Sequence, residues 1–145
     1  MNKLSNRSLE RLQGIDQVLI DIITVGIVSS PFDFGIPKDG GLRTDEAQIE
    51  MYAKGRTTAE MIAKGIAGVE GQPNERKVTW TLNSYHKTGK AFDIYGYVDG
   101  KATWDNKILE AIARHLQRVA EEQFDVCLDW GYDLWGKDGA HFQIK

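Results

Sequence analysis

A single cysteine, Cys127, occurs in 145 residues, so no intrachain disulfide can form. Its neighbours Phe124, Val126 and Leu128 are apolar, which predicts a small buried hydrophobe rather than a nucleophile. An excess of positive charge is also missing: the net charge is −3 with 27% charged residues, which leaves no basic footprint for nucleic acid. Long hydrophobic runs are absent. Lys3 and Arg7 are followed by Glu10, Arg11, Gln13, Asp16 and Gln17, which interrupt any apolar segment. The expectation is a chain without secretory signal or membrane span, made in the cytoplasm as a soluble monomer. There is no internal repeat and no low-complexity linker, and the length suits one domain over residues 1–145.

What is present reads as mixed helix and strand. Residues 5–24 carry Leu9, Leu12, Ile15, Leu19, Ile22 and Ile23 on one helical stripe, with Ser5 or Ser8 as cap. Residues 25–41 read as irregular, with Pro31, Pro37 and Gly40-Gly41. Thr44 caps a helix over about 45–54, with Asp45 and Glu46 at its positive end and Gly55 at its stop. A short helical pattern follows in 56–77 (Ala59, Met61, Ile62), then a strand from Val78 to Leu82. Asp105 caps a helix over about 106–122, whose buried stripe is Ile108, Ile112, Leu116, Val119 and Ala120. No regular β-α-β alternation appears, and the class is α+β.

The chemistry concentrates in two stretches, Ser84-x-His86-x-x-Gly89-x-Ala91-x-Asp93 and Asp138-Gly139-Ala140-His141. Together they offer two imidazoles, one carboxylate to coordinate a metal and one to spare. A catalytic zinc needs three such ligands and an open position. The spare carboxylate suits the proton of a zinc-activated water. His86 and Asp93 lie seven apart, which in one strand would point them to opposite faces. A turn at Lys87-Thr88-Gly89-Lys90, with Gly89 at positive φ, lets both reach one ion. Ala91, Asp93 and Tyr95 then alternate with Phe92 and Ile94 as a strand. Gly136 and Gly139 argue for a tight turn around Asp138. After it His141 and Gln143 face one way, and Phe142 and Ile144 face the core. A histidine near an aspartate also arises by chance. On that reading Asp138 is a turn residue and His141 a half-buried strand residue. His115 sits mid-helix without ligand spacing and is read as structural. Trp130, Tyr132 and Trp135 suit either core or a substrate groove.

The ordered motif pair resembles the zinc D-alanyl-D-alanine peptidase (VanY-like) family. That family includes bacterial carboxypeptidases, dipeptidases and phage L-alanyl-D-glutamate endopeptidases that act as endolysins. Leu42 to Gln48 and Met51 to Thr57 are similar to its arginine-bearing helix. Trp130-Gly131-Tyr132-Asp133 is similar to its Trp-Gly segment, and Phe142 also fits. The resemblance runs from about residue 26 to the C-terminus. Many members carry Glu where this chain has Asp138; the phage endopeptidase branch uses Asp.

The resemblance implies a small, mostly antiparallel sheet flanked by helices, as in the Hedgehog/D-Ala-D-Ala-peptidase fold. It implies Zn2+ held by His86, Asp93 and His141, with Asp138 as general base and Arg43 at the oxyanion or at a substrate carboxylate. It implies Ser84 as a substrate hydrogen-bond donor, and Asp133 as a rival base or a support for the site. The expected substrate is the peptidoglycan stem peptide, cut at L-Ala–D-Glu after another factor releases the protein to the wall. A D-alanine-releasing carboxypeptidase or dipeptidase is the alternative, and a zinc-containing binding module a further one.

Overall fold

The computed structural model describes residues 2–145. The N-terminal stripe folds as two helices, α1 (Asn6–Arg11) and α2 (Gln17–Val28), rather than one over 5–24. The break falls at Gly14, whose φ of 87° no helix accommodates. Ser5 caps α1 by accepting from the Ser8 amide at 3.1 Å. After a short strand β1 (Asp33–Gly35), inside the segment read as irregular, come α3 (Asp45–Ala53) and α4 (Thr58–Ala63). Thr44 caps α3 through the Ala47 amide at 3.1 Å, as its position predicts, and Gly55 leaves with φ 77°.

Val78 to Leu82 is not a strand. It runs as an irregular loop whose carbonyls bond to side chains: Thr79 and Thr81 accept from buried Arg56 and Gln48. With no neighbouring strand to pair, the β-prone residues there have no ladder to join. A 3-10 helix (Tyr85–Thr88), β2 (Ala91–Asp93), β3 (Tyr95–Val98), β4 (Lys101–Thr103) and α5 (Asn106–Phe124) follow. Then come β5 (Asp129–Trp130), α6 (Gly131–Trp135) and β6 (His141–Gln143).

The strands form two antiparallel sheets, ordered β1-β3-β4 and β2-β6-β5. The strand expected over 91–95 is therefore split at Ile94. That residue is buried and donates its amide to the Ala140 carbonyl at 3.0 Å, while the chain passes from one sheet to the other. α2 and α5 pack across the core through Leu19, Ile22, Ile23, Ile112 and Leu116. Their close approach depends on Gly26, where a Cβ would meet Leu116 Cδ2 at 2.6 Å. On α5 the buried stripe uses Leu109 and Ala113, and Ile108 is only partly buried. His115 is structural: its Nε2 bonds the Gly26 carbonyl at 2.8 Å and ties α5 to α2.

Cys127 is exposed, contrary to expectation. Asp125 leaves α5 in the left-handed region (φ 52°), and the alternation that follows turns Leu128 inward and Cys127 outward. Among the described residues, no helix is long and apolar enough to cross a membrane.

Candidate metal centre

The register of β2 on β6 builds the centre. Phe92 pairs with Phe142, and Asp93 pairs with His141. The two phenylalanines are fully buried and stacked at 5.0 Å between ring centroids. Each contributes about 1.5–3 kcal/mol by burial, and a one-residue slip would turn both out of the core. The same alternation sends Asp93 and His141 to the opposite face, side by side. His86 arrives from the 3-10 helix, whose start Ser84 caps by accepting from the His86 amide at 3.2 Å. Gly89, at φ 77°, returns the chain into β2.

Three acceptor atoms converge. His86 Nε2 lies 3.2 Å from Asp93 Oδ1 and 3.2 Å from His141 Nδ1, and His141 Nδ1 lies 3.3 Å from Asp93 Oδ1. The opposite nitrogen of each ring fixes its tautomer. His86 Nδ1 faces the Gly41 carbonyl at 3.0 Å and must donate to it. His141 Nε2 donates to Gln143 Oε1 at 2.8 Å. The inward nitrogens of the neutral rings are then lone pairs, aimed at each other and at a carboxylate oxygen. Buried acceptors without a shared donor repel one another, and a cation between them resolves the conflict.

The triangle has the right size for zinc. Tetrahedral Zn–N and Zn–O bonds of about 2.0–2.1 Å set ligand atoms about 3.3 Å apart. Among the described residues, His86, Asp93 and His141 form a group able to hold a metal. Electrostatics agree. Burial alone would disfavour a proton on His141, yet Asp93 outweighs it and the imidazole's pKa is raised. Burial would also raise Asp93, but the two imidazoles hold its carboxyl well below the usual range. The pocket demands positive charge.

Asp138 sits on the turn before β6, at φ 64°, and the His141 amide bonds its carbonyl at 3.2 Å. The tight turn expected there is present. It folds back over Gly131, where a Cβ would meet the Asp138 carbonyl oxygen at 2.4 Å. Trp130 donates its indole N–H to the Gly139 carbonyl at 2.7 Å, so the Trp-Gly segment is the mount of this turn. Surrounding protein first, and then the Asp93 charge, raise the Asp138 carboxyl above its ordinary value, although the side chain keeps exposed surface.

Asp133 makes no hydrogen bond or ion pair with the three ligands among the described residues. Arg114 grips it with two contacts of 2.6 and 2.9 Å. Trp130 is core. Tyr132 and Trp135 are exposed, and the Trp135 ring stands 5.2 Å from that of His141.

Arg43 is 6% exposed, and both terminal nitrogens are committed to protein. Nη1 donates to Gln48 Oε1 at 2.9 Å, and Nη2 donates to the Asp39 carbonyl at 3.1 Å with Asp93 Oδ2 at 3.5 Å. Its geometry therefore holds the second oxygen of Asp93 rather than reaching for a substrate carboxylate. Arg43→Lys keeps the charge but cannot span three partners. We expect zinc affinity to fall about 10–100-fold, the usual cost of losing a support behind a ligand. Competition with a chromophoric chelator measures it.

Three residues act here whose roles the sequence did not disclose. Gln48, 1% exposed, joins Arg43 to the Thr81 carbonyl at 2.6 Å. Gln143 orients His141; its alternation with that residue was the available signal. Gly41 supplies the carbonyl that orients His86, and a Cβ there would meet the Arg11 carbonyl oxygen at 1.9 Å. Gly41→Ala should therefore cost about 1–3 kcal/mol of stability and weaken zinc binding together. Chemical denaturation with and without zinc reads both.

No protein-family model matches the sequence, and no curated protein matches it. Among solved structures, the chain is similar to the L-Ala D-Glu endopeptidase ChiX of Serratia marcescens. The identity is 27% and the TM-score 0.71, over 100% of this chain and 90% of that one. Two looser likenesses have 20% identity: a variant of the vancomycin resistance D,D-pentapeptidase VanY in complex with Zn(II), with a TM-score of 0.46 over 88% of this chain and 68% of that one; and VanYB in complex with D-alanine-D-alanine, with a TM-score of 0.47 over 88% and 67%. The mixed fold with small antiparallel sheets is the one the motif resemblance implies.

Proposed function

We infer that this chain is a VanY-like zinc peptidase acting on the peptide of peptidoglycan, and we propose that it cuts the L-Ala–D-Glu bond of the stem. The convergence of three lone-pair ligands beside a spare, proton-seeking carboxylate carries the chemistry. The whole-length likeness to an L-Ala D-Glu endopeptidase supports the choice of bond.

His86, Asp93 and His141 would hold the metal. When bound, zinc would supply Lewis acidity, polarising a carbonyl and lowering the pKa of water there towards neutrality. Asp138 accepts the proton of the attacking water and passes it to the leaving amine; its raised pKa suits a group that must give the proton back. Arg43 steadies Asp93 and adds fixed positive charge near the developing oxyanion. Ser84 uses its hydroxyl oxygen on the His86 amide, which leaves its O–H to donate to substrate. The endolysin reading extends the same proposal. The protein is made in a phage-infected cell and reaches the wall when another factor releases it; Asp138 in place of Glu supports that branch.

Digestion of purified peptidoglycan, followed by labelling of new amino termini, tests the bond. New N-terminal D-Glu without free D-alanine is the expected product. Free D-alanine without new D-Glu termini would assign the enzyme to the carboxypeptidases instead.

A further inference from the structure

The proposed substrate carries a free carboxylate on the residue after the scissile bond, which an unpaired cation of the protein can read. Arg43 is buried and committed on both terminal nitrogens. On residues 84–93, Lys87 pairs with Asp45 at 2.8 Å and bonds the Leu82 carbonyl, and Lys90 pairs with Asp16. Arg114, beneath α6, is held by Asp133. Residues 129–143 contain one further cation, Lys137, immediately before Asp138. Its side chain has no carboxylate partner among the described residues. Its Nζ instead rests 3.7 Å from the centroid of the Trp80 ring.

That contact joins the two segments that lead into the site. Trp80 belongs to the loop fastened by Gln48 and Arg56 through Thr79 and Thr81, which leads directly into Ser84 and His86. Lys137 belongs to the turn that carries Asp138 and leads into His141. An ion-pair partner for Lys137 would have cancelled its charge. The aromatic face instead positions the ammonium and leaves its outward N–H donors unused.

We propose that Lys137, seated on Trp80, is a specificity residue that takes the free carboxylate of an acidic residue directly after the scissile bond. This rests on the peptidase reading above. An ammonium accepts a carboxylate from several directions, so the seat on Trp80 supplies the direction that the lysine lacks by itself.

The test compares two synthetic stem peptides that differ only in that group, one with the free carboxylate and one with the carboxamide. For the zinc-loaded wild type, kcat/KM should favour the acid by about tenfold, the low end for a charge-assisted contact because Lys137 is on the surface. Lys137→Met should bring the ratio near one, chiefly through KM on the acid peptide, and Lys137→Arg should keep most of the preference. Trp80→Ala should lower the ratio partway, and Trp80→Phe less. Zinc content measured on each variant separates these effects from damage to the metal centre. A wild type that cleaves both peptides equally, or a Lys137→Met variant that keeps the preference, overturns the proposal while leaving the peptidase reading intact. A wild type that cleaves neither overturns both.

Discussion

Replacing Asp138 should leave zinc bound and the fold intact while lowering turnover about 10²–10⁴-fold, the usual contribution of a general acid–base group. The choice of replacement matters because Asp138 sits at φ 64°. Asparagine tolerates that conformation, whereas alanine adds left-handed backbone strain of about 1–2 kcal/mol. Asp138→Asn therefore isolates the chemistry, and Asp138→Ala should lose the same turnover with a small additional loss of stability. Asp133→Ala should keep near-normal turnover, because its carboxylate is held by Arg114. Single-turnover kinetics with zinc content measured in parallel reads all three. Near-normal turnover in Asp138→Asn would remove the residue from the mechanism.

The second large effect concerns the ligands. In His86→Ala or His141→Ala, one of the three converging acceptors is lost, and two cannot make the closed face that zinc requires. Metal content should drop from one equivalent to a small fraction, and peptidase activity should vanish with it. Chelation of the wild type should have the same effect on activity, reversed by added zinc. The double variant is the stricter case: stoichiometric zinc retained without both imidazoles would mean that the metal is held elsewhere. Asp93→Ala should also lose zinc. It further leaves the Arg43 guanidinium buried without its carboxylate, so a loss of stability should accompany the loss of metal.

The helices of this fold were legible where a cap residue marked their start, as at Thr44 and Asp105. They were misjudged where one glycine broke a continuous stripe, as at Gly14. The metal triad was legible because its elements are local. A turn glycine and two alternating strands leave few ways for His86, Asp93 and His141 to point. What stands behind the triad was not legible. Gln48, Gly41 and the true task of Arg43 depend on a loop crossing between residues far apart in sequence, and no periodicity reports such a crossing. Asp133 shows the converse. Its place in a motif suggested a role at the metal, but Arg114, a half-exposed arginine on α5, holds its carboxylate instead. Cys127 was misplaced because apolar neighbours were taken as its own environment, when burial alternates along the segment before β5 and separates the two.

The central claim is that three unprotonated acceptors on β2, β6 and the 3-10 helix exist to hold one zinc with nitrogen and oxygen donors. X-ray absorption at the zinc edge, on protein loaded with one equivalent, tests it most directly. The account predicts a single shell of nitrogen and oxygen at about 2.0–2.1 Å, with the outer scattering of two imidazoles and no sulfur. A sulfur ligand at about 2.3 Å, which only the exposed Cys127 or a methionine could supply, or zinc that does not bind stoichiometrically, would contradict it.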